Sequence, residues 1–410
     1  MRKKIIISGF ITLSFAGKAQ QRDSIFRSKS IDPTEIKALF SSYFQDGTHS
    51  AVTGGSGTEK LNVQATTFQL THAIGEKLSL NWKAGIDVIT SASTDNIDYV
   101  LSSASRIDRR GHANGTLIRK GENEQMMSIG SGISVESDYL AVPLQFSYAT
   151  KKDSSGRQLR INVDASFDDL RWGRLNPDYY RAVRLVYPAG LRYKEWSTEY
   201  KRQSYNLQAA YSFIINRRMQ MNVMPMLNYQ RGLLSTPFHR VYFNDGDLRV
   251  EKLPKERWKF GMSFLNTWFA GKKSILRSEF GFYSDNFGIQ ALSFEEELSY
   301  KFTNRFYAGP FLRLYTQSAS HYFNTISAHL PNAEFYTSDY DLSAFNAIKA
   351  GMEFYFLPLQ KKQRNYFTKG IGLRLAWYQR SDGLTAVMGT LLFDINQRGR
   401  QKNYLTPKYN

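Results

Sequence analysis

The stretch ERWKFGMSFLNTWF, residues 256–269, decides the fold. Trp258, Phe260, Met262, Phe264 and Trp268 occupy alternate places, broken once at Asn266. Between them stand Lys259, Gly261, Ser263, Leu265 and Thr267. Successive side chains of a strand point to opposite faces, so one face is apolar and the other mostly polar. The two tryptophans are ten residues apart. At ~3.3 Å per residue and a tilt of about 40–45° they span roughly 23–25 Å, the height of an outer-membrane lipid band with an aromatic anchor at each edge.

The same period recurs in both directions from this segment. Leu78, Leu80, Trp82, Ala84, Ile86 and Val88 alternate with Ser79, Asn81, Lys83, Gly85 and Asp87. Further alternating runs lie at 159–167, 205–213, 219–229, 276–282, 292–302, 348–356, 371–377 and 387–395. Short polar turns at Asn216-Arg217-Arg218, Gly271-Lys272-Lys273 and Thr303-Asn304-Arg305 contrast with long connections at 169–198, 232–255 and 321–345. Short turns on one side and long loops on the other are the pattern of a membrane barrel. The expected fold is all-β, a transmembrane antiparallel β-barrel of about fourteen strands, or sixteen if region 92–151 or the chain near Ala51 supplies more. Pro225 and Pro310 fall inside strands, where a missing donor predicts a bulge or a strand end. The run Phe306 to Tyr315 fits neither face cleanly, and Glu296, like Asn266, lies on an apolar face.

Residues 1–19 read as a secretory signal, with Arg2, Lys3 and Lys4 before the apolar run Ile5–Phe15 and a small-residue site ending at Ala19. Residues 20–56 are expected to form an N-terminal periplasmic arm or small plug, 57–397 the barrel, and 398–410 a polar tail. No other stretch has the twenty or so apolar residues a helical span needs. Cysteine is absent, which excludes disulfides and thiolate chemistry. The net charge is 54 − 36 = +18, and removal of four basic leader residues leaves +14. Nucleic acid is not the expected partner, because no nucleic-acid motif accompanies the charge and the leader points out of the cell. Phosphate-rich outer-membrane lipids or an anion-preferring lumen account for it.

The polar faces collect Lys83, Asp87, Arg160, Asp164, Arg277, Glu279, Glu295, Glu297, Lys349, Glu353 and Arg374, the candidate lumen-facing charges. Trp258, Trp268 and Trp377 are the candidate membrane-interface aromatics.

Four segments bring a family into view: DGTHSAVTGGSGTEKL from Asp46, TSASTDNIDYVLSSAS from Thr90, LLSTPFHRVYF from Leu233 and YTSDYDLSAF from Tyr336. Together they resemble the outer-membrane barrel proteins of Bacteroidetes-type bacteria grouped as domain-of-unknown-function family thirty-five seventy. The resemblance runs from about Tyr43 to the end. It implies a cell-envelope barrel and carries no catalytic residue across, with a redox-linked setting suggested by the envelope proteins often encoded beside such members.

Several clusters invite a chemical reading beside a plainer one. His321 and His329 share a loop region with Ser318, Ser320, Asp339 and Asp341, as a surface hydrolase would need, but a turn with capping carboxylates is the simpler account. Asp95, Asn96 and Asp98, and separately Asp245 and Asp247, offer oxygen ligands for calcium without the full EF-hand spacing; Asn244-Asp245-Gly246-Asp247 is first of all a turn. Gly54, Gly55 and Gly57 lack the lysine of a phosphate loop. His239 and Arg240 read as loop anchors or lipid-phosphate contacts. In the basic run Arg157–Arg202, Tyr179, Tyr180, Tyr187, Tyr193 and Trp196 suit sugar stacking or the interface belt. No catalytic residue, cofactor or metal is assigned. The expected molecule is a monomeric outer-membrane barrel, inserted by the barrel assembly machinery, that passes or binds a small solute. The alternative is a docking barrel for envelope partners.

Overall fold

The computed structural model describes residues 34–91, 107–136, 139–170, 201–236, 239–359 and 365–397. The signal reading at 1–19, the start of the expected arm, the tail at 398–410, Asp95, Asn96, Asp98 and most of the basic run lie outside the described residues.

The chain forms one closed antiparallel barrel. Its first half comprises β1 (Thr34–Asp46), β2 (Leu61–Ile74), β3 (Leu78–Ser91), β4 (Ile107–Lys120), β5 (Met126–Glu136), β6 (Tyr139–Ala149), β7 (Gln158–Asp169), β8 (Lys201–Asn216) and β9 (Met219–Gly232). A small hairpin, β10 (Arg240–Tyr242) with β11 (Leu248–Val250), stands apart from the barrel. The wall resumes with β12 (Glu256–Phe269), β13 (Ser274–Asp285), β14 (Gln290–Lys301), β15 (Phe306–Gln317), β16 (Phe345–Phe356), β17 (Tyr366–Arg380) and β18 (Thr385–Gln397). β18 pairs with β1 from Glu35↔Asn396 to Asp46↔Thr385 and closes the wall. Closure satisfies every edge, which is what lets strands stand in hydrocarbon.

The barrel thus has sixteen strands. Two features hid the extra ones. The stretch read as an arm contains β1, whose outward residues Ile36, Ala38, Phe40, Ser42 and Phe44 include two small ones, while Leu39 points inward. Its alternation is therefore weak, and Ile36, Leu39 and Phe40 mimic a helical spacing. In region 92–151, β4 presents Gly111, Ala113 and Gly115 outward and β5 presents Ser131 there, so the apolar face is weakly marked.

Exposed apolar side chains mark the outer wall. Trp82 is 51% exposed, Ile129 60%, Phe280 57% and Leu292 58%. Such exposure over a whole surface fits lipid contact. Trp258, Trp268 and Trp377 are all outward and exposed, with the Trp258 ring stacked on Tyr229 at 4.3 Å. One outward course is polar: Asn266 registers with Ser278, and Ser278 with Glu296.

The prolines act more mildly than expected. The β8–β9 pairs skip from Gln208↔Met226 to Tyr211↔Val223 beside Pro225, and the β14–β15 pairs from Glu297↔Phe311 to Tyr300↔Ala308 beside Pro310. In both places the register resumes unchanged. The missing N–H removes ladder bonds, but proline's backbone angle suits an extended strand, so alternation survives. The slips occur instead between Ile214 and Asn216 and between Thr368 and Gly370.

Candidate functional site

Every candidate lumen charge lies on the face opposite the exposed apolar residues, and five strands bring most of them together. Arg374 on β17 lies 2.8 Å from Glu353 on β16, 3.0 Å from Glu297 and 3.5 Å from Glu295 on β14. Its guanidinium also covers the Phe311 ring of β15 at 3.8 Å. Arg277 donates to Glu297 at 2.6 Å, and Arg313 stands 3.8 Å from Glu295. Lys349 lies 5.8 Å from the Phe311 ring. Phe311 fits inward because its partner in register is Gly351. A Cβ at Gly351 would collide with the Phe311 ring and the Leu375 carbonyl. Elsewhere on the inner wall Asp164 accepts from Asn206 at 3.3 Å, and Asp87 pairs with Arg110. Lys83 and Arg160 occupy inward positions on β3 and β7.

The sequence reading missed Arg313 because β15 reverses the usual polarity, with Pro310 outward and Phe311 inward. It also missed a second inward group, in which Lys369 lies 3.3 Å from Glu35 and 3.4 Å from Asp394. Glu35 sits on the unrecognised first strand.

Toward the end bearing the long connections stand arginine–aspartate pairs. Arg110–Asp87, Arg202–Asp168 and Arg257–Asp285 join neighbouring strands, and Arg380–Asp382 lies within the β17–β18 turn. Arg380 also donates to Asp341 at 2.6 Å and to the Tyr340 carbonyl at 2.7 Å. Planar guanidinium suits such forked pairing.

Arg380 thereby holds a cap built from three connections, 47–60, 233–255 and 318–344. Gln317 of the inner wall adds bonds to the Asp341 and Ser343 carbonyls, at 3.1 and 2.6 Å. Strand-like bridges join Phe243 to His329 and Lys252 to Tyr336. Val241, Phe243 and Tyr336 form a small buried core. Gly54, at φ +78°, lies where a side chain would strike the Tyr242 ring, so the glycine both turns the backbone and admits the hairpin. The His49 ring stacks on Tyr340 at 3.9 Å. Three of the four motif segments quoted above meet here; the segment from Thr90 lies almost wholly outside the described residues.

Among the described residues, the side chains of the hydrolase reading are engaged in other contacts. His321 packs over the turn at Gly288. His329 Nε2 is 3.1 Å from the Thr337 carbonyl and 3.4 Å from Ser338 Oγ, but Ser338 donates to the Asn324 carbonyl and both residues are buried. Ser320 donates to the Phe287 carbonyl, and Asp341 is taken by Arg380. Asp245 and Asp247 form the β10–β11 turn, where Asp247 binds Arg249 at 2.7 Å; that hydrogen bond holds its carboxyl below the usual range. His239 instead turns inward, with Nδ1 3.3 Å from Glu251 and 3.6 Å from Asp339.

A family model described as "Protein of unknown function (DUF3570)" matches residues 101–392, from just before β4 into β18. The chain belongs to the DUF3570 family. The match covers two of the three cap connections of this DUF3570 barrel. The curated proteins give no match. Among solved structures the barrel is similar to the siderophore receptor PirA from Pseudomonas aeruginosa, at 11% identity and TM-score 0.40, over 89% of this chain and 62% of that one. The chain thus spans less than two thirds of that receptor. It is also similar to a bacterial polysaccharide outer membrane secretin, at 9% identity and TM-score 0.45, over 90% and 99% of the two chains. OpdQ from Pseudomonas aeruginosa follows at 8% identity and TM-score 0.38, over 89% and 98%. Likenesses this distant carry no substrate or partner across.

Proposed function

We propose that this DUF3570 barrel sits in the outer membrane as a monomer and passes or holds a small solute, without covalent chemistry. Selection then rests on lumen charge and on the cap. The arrangement around Arg374 supports this reading most directly, because it places a cluster of paired charges partway along a polar inner wall. Glu279, Glu295, Glu297 and Glu353 face Arg277, Arg313, Lys349 and Arg374, a balance of 4 − 4 = 0. Mixed signs favour a polar or zwitterionic solute over a simple ion. The apolar outer wall meets membrane lipid, and the leader and the barrel assembly machinery bring the chain there.

A second reading has its own support. Arg374 reaches back across two intervening strands to Glu297, and the cap is held to the inner rim. A barrel filled in this way serves as a docking body for envelope partners. Single-channel recording of purified, refolded protein in a planar bilayer, with reversal potentials across a salt gradient, separates the two. Stable open steps with weak ion preference are expected. Silence from folded, heat-modifiable protein overturns passage and leaves binding or docking.

A further inference from the structure

His239, Glu251 and Asp339 bring one metal-ligating atom each to a point where all three lie within 4.8 Å of one another. We propose that this cluster is a binding site for a first-row divalent cation of the zinc type, which staples the cap together. Nothing in the calcium reading of the neighbouring acidic turn anticipated it.

The distances suit an ion. With metal–ligand bonds near 2.1 Å, tetrahedral ligands stand about 3.4 Å apart. His239 Nδ1 is 3.3 Å from Glu251 Oε1 and 3.6 Å from Asp339 Oδ2. The donor set excludes calcium, which takes six to eight oxygens and avoids imidazole. One nitrogen with two carboxylate oxygens fits a borderline ion such as zinc, with solvent as a further ligand.

The carboxylates are also aimed. Glu251 Oε2 accepts the Thr236 N–H at 2.6 Å, which turns Oε1 toward His239. Asp339 Oδ1 accepts the Asp341 N–H at 3.0 Å, which turns Oδ2 the same way. The Thr337 hydroxyl donates to Glu251 Oε1 at 2.5 Å and accepts the Asp339 N–H at 3.0 Å, so it couples the two. Secondary contacts of this kind orient metal ligands in general.

Burial distinguishes the cluster from an acidic patch on a surface. The side chains of His239, Glu251 and Asp339 are 3%, 2% and 16% exposed. Two carboxylates beside a neutral imidazole bring −2 to a buried point, and buried charge is costly unless paired. A divalent cation offsets it. His239 and Glu251 flank the β10–β11 hairpin, while Asp339 comes from the 318–344 connection. One ion therefore clamps two loops that are otherwise joined by hydrogen bonds and a small apolar core.

The test uses the full-length, untagged protein, stripped with a chelator and titrated calorimetrically with zinc, manganese and calcium chlorides. One equivalent of zinc, preferred over calcium, is expected. Cobalt substitution should give the visible spectrum of a tetrahedral site. Asp339→Asn should weaken zinc by more than about 100-fold, beyond the 10–100-fold expected of Thr337→Val, which removes only an orienting group. Heat-modifiability on gels reports whether each variant barrel is folded. Absence of stoichiometric zinc binding by folded wild-type protein overturns the site, as does unchanged affinity in folded Asp339→Asn. In either case the cluster is a hydrogen-bonded contact between two loops without a metal.

Discussion

Replacing Arg374 with glutamine tests whether the inner-wall charges hold the barrel together. The substitution keeps much of the side-chain volume but removes a cation lying between 2.8 and 3.5 Å from three carboxylates. Loss of one partner from a fully buried pair costs about 3–5 kcal/mol, while an exposed pair is worth about 0–1 kcal/mol. Arg374 is 32% exposed and Glu297 14%, which places the site between these limits. Loss of the contact with Phe311 adds about 0.5–1 kcal/mol. The expected destabilisation is therefore about 2–4 kcal/mol. Urea unfolding of the barrel in lipid vesicles, followed by tryptophan fluorescence, measures it. The carboxylates left behind should repel one another, so adding Glu353→Gln to the variant should recover part of the loss, with a coupling energy of about 1–3 kcal/mol. If the single variant unfolds within about 0.5 kcal/mol of wild type, the group is a solvated cluster and the reasoning fails. The same change takes the local balance from 0 to −1, so any conductance should move toward cations.

Other sites give sharper contrasts. Gly351→Val should destabilise by about 1–3 kcal/mol or more, because the added atoms meet the Phe311 ring and the Leu375 carbonyl; the same vesicle assay reads it. On the outer wall, Phe280→Arg should cost about 2–4 kcal/mol if that face meets lipid at mid-depth, whereas Glu296→Leu should stabilise. A harmless Phe280→Arg would mean that water bathes this face. In the cap, burial holds the His329 imidazole below its usual range, against the opposing effect of bonds to the Thr337 and Asn324 carbonyls. The unfolded cap then binds this proton at a higher pH than the folded cap does, so stability rises with pH. The contribution is complete above about pH 6.5 and falls away as the pH drops below that. Protection factors across 318–344, which are exchange rates corrected for the pH dependence of intrinsic exchange, should fall from about pH 7.5 to about pH 5, and His329→Gln should flatten this His329-dependent part of the change.

Alternation made the wall legible wherever large apolar residues stood on the outer face, as from Trp258 to Trp268 or from Leu78 to Val88. It failed where contrast was low. β1 presents Ala38 and Ser42 outward, and β15 carries Pro310 and Phe311 on the opposite faces from those their character suggests. The paired charges of the inner wall were legible as a set of residues but not as contacts. A period of two fixes the face and leaves the height of each residue to the register. The cap was less accessible still. His239 and Asp339 are a hundred residues apart in the chain, and no local pattern says that two long connections fold onto each other. The nearest signal was indirect, since the motif segments at Asp46, Leu233 and Tyr336 all belong to loops.

The seam between β1 and β18 has a consequence for how the molecule is made. Thr34 donates to Gln397 at 2.7 Å across 363 positions of sequence, and the pairs above it bind the earliest described strand to the last. Every other junction in the wall joins strands that are near neighbours in the chain, apart from the three long connections. Hairpins can therefore accumulate in order, yet until the final strand arrives both margins of the growing sheet keep open rows of donors and acceptors. Completion is a single late event. A chain truncated before Thr385 loses the strand that seals the circle rather than one-sixteenth of the wall, and should behave as an aggregation-prone sheet instead of a smaller barrel.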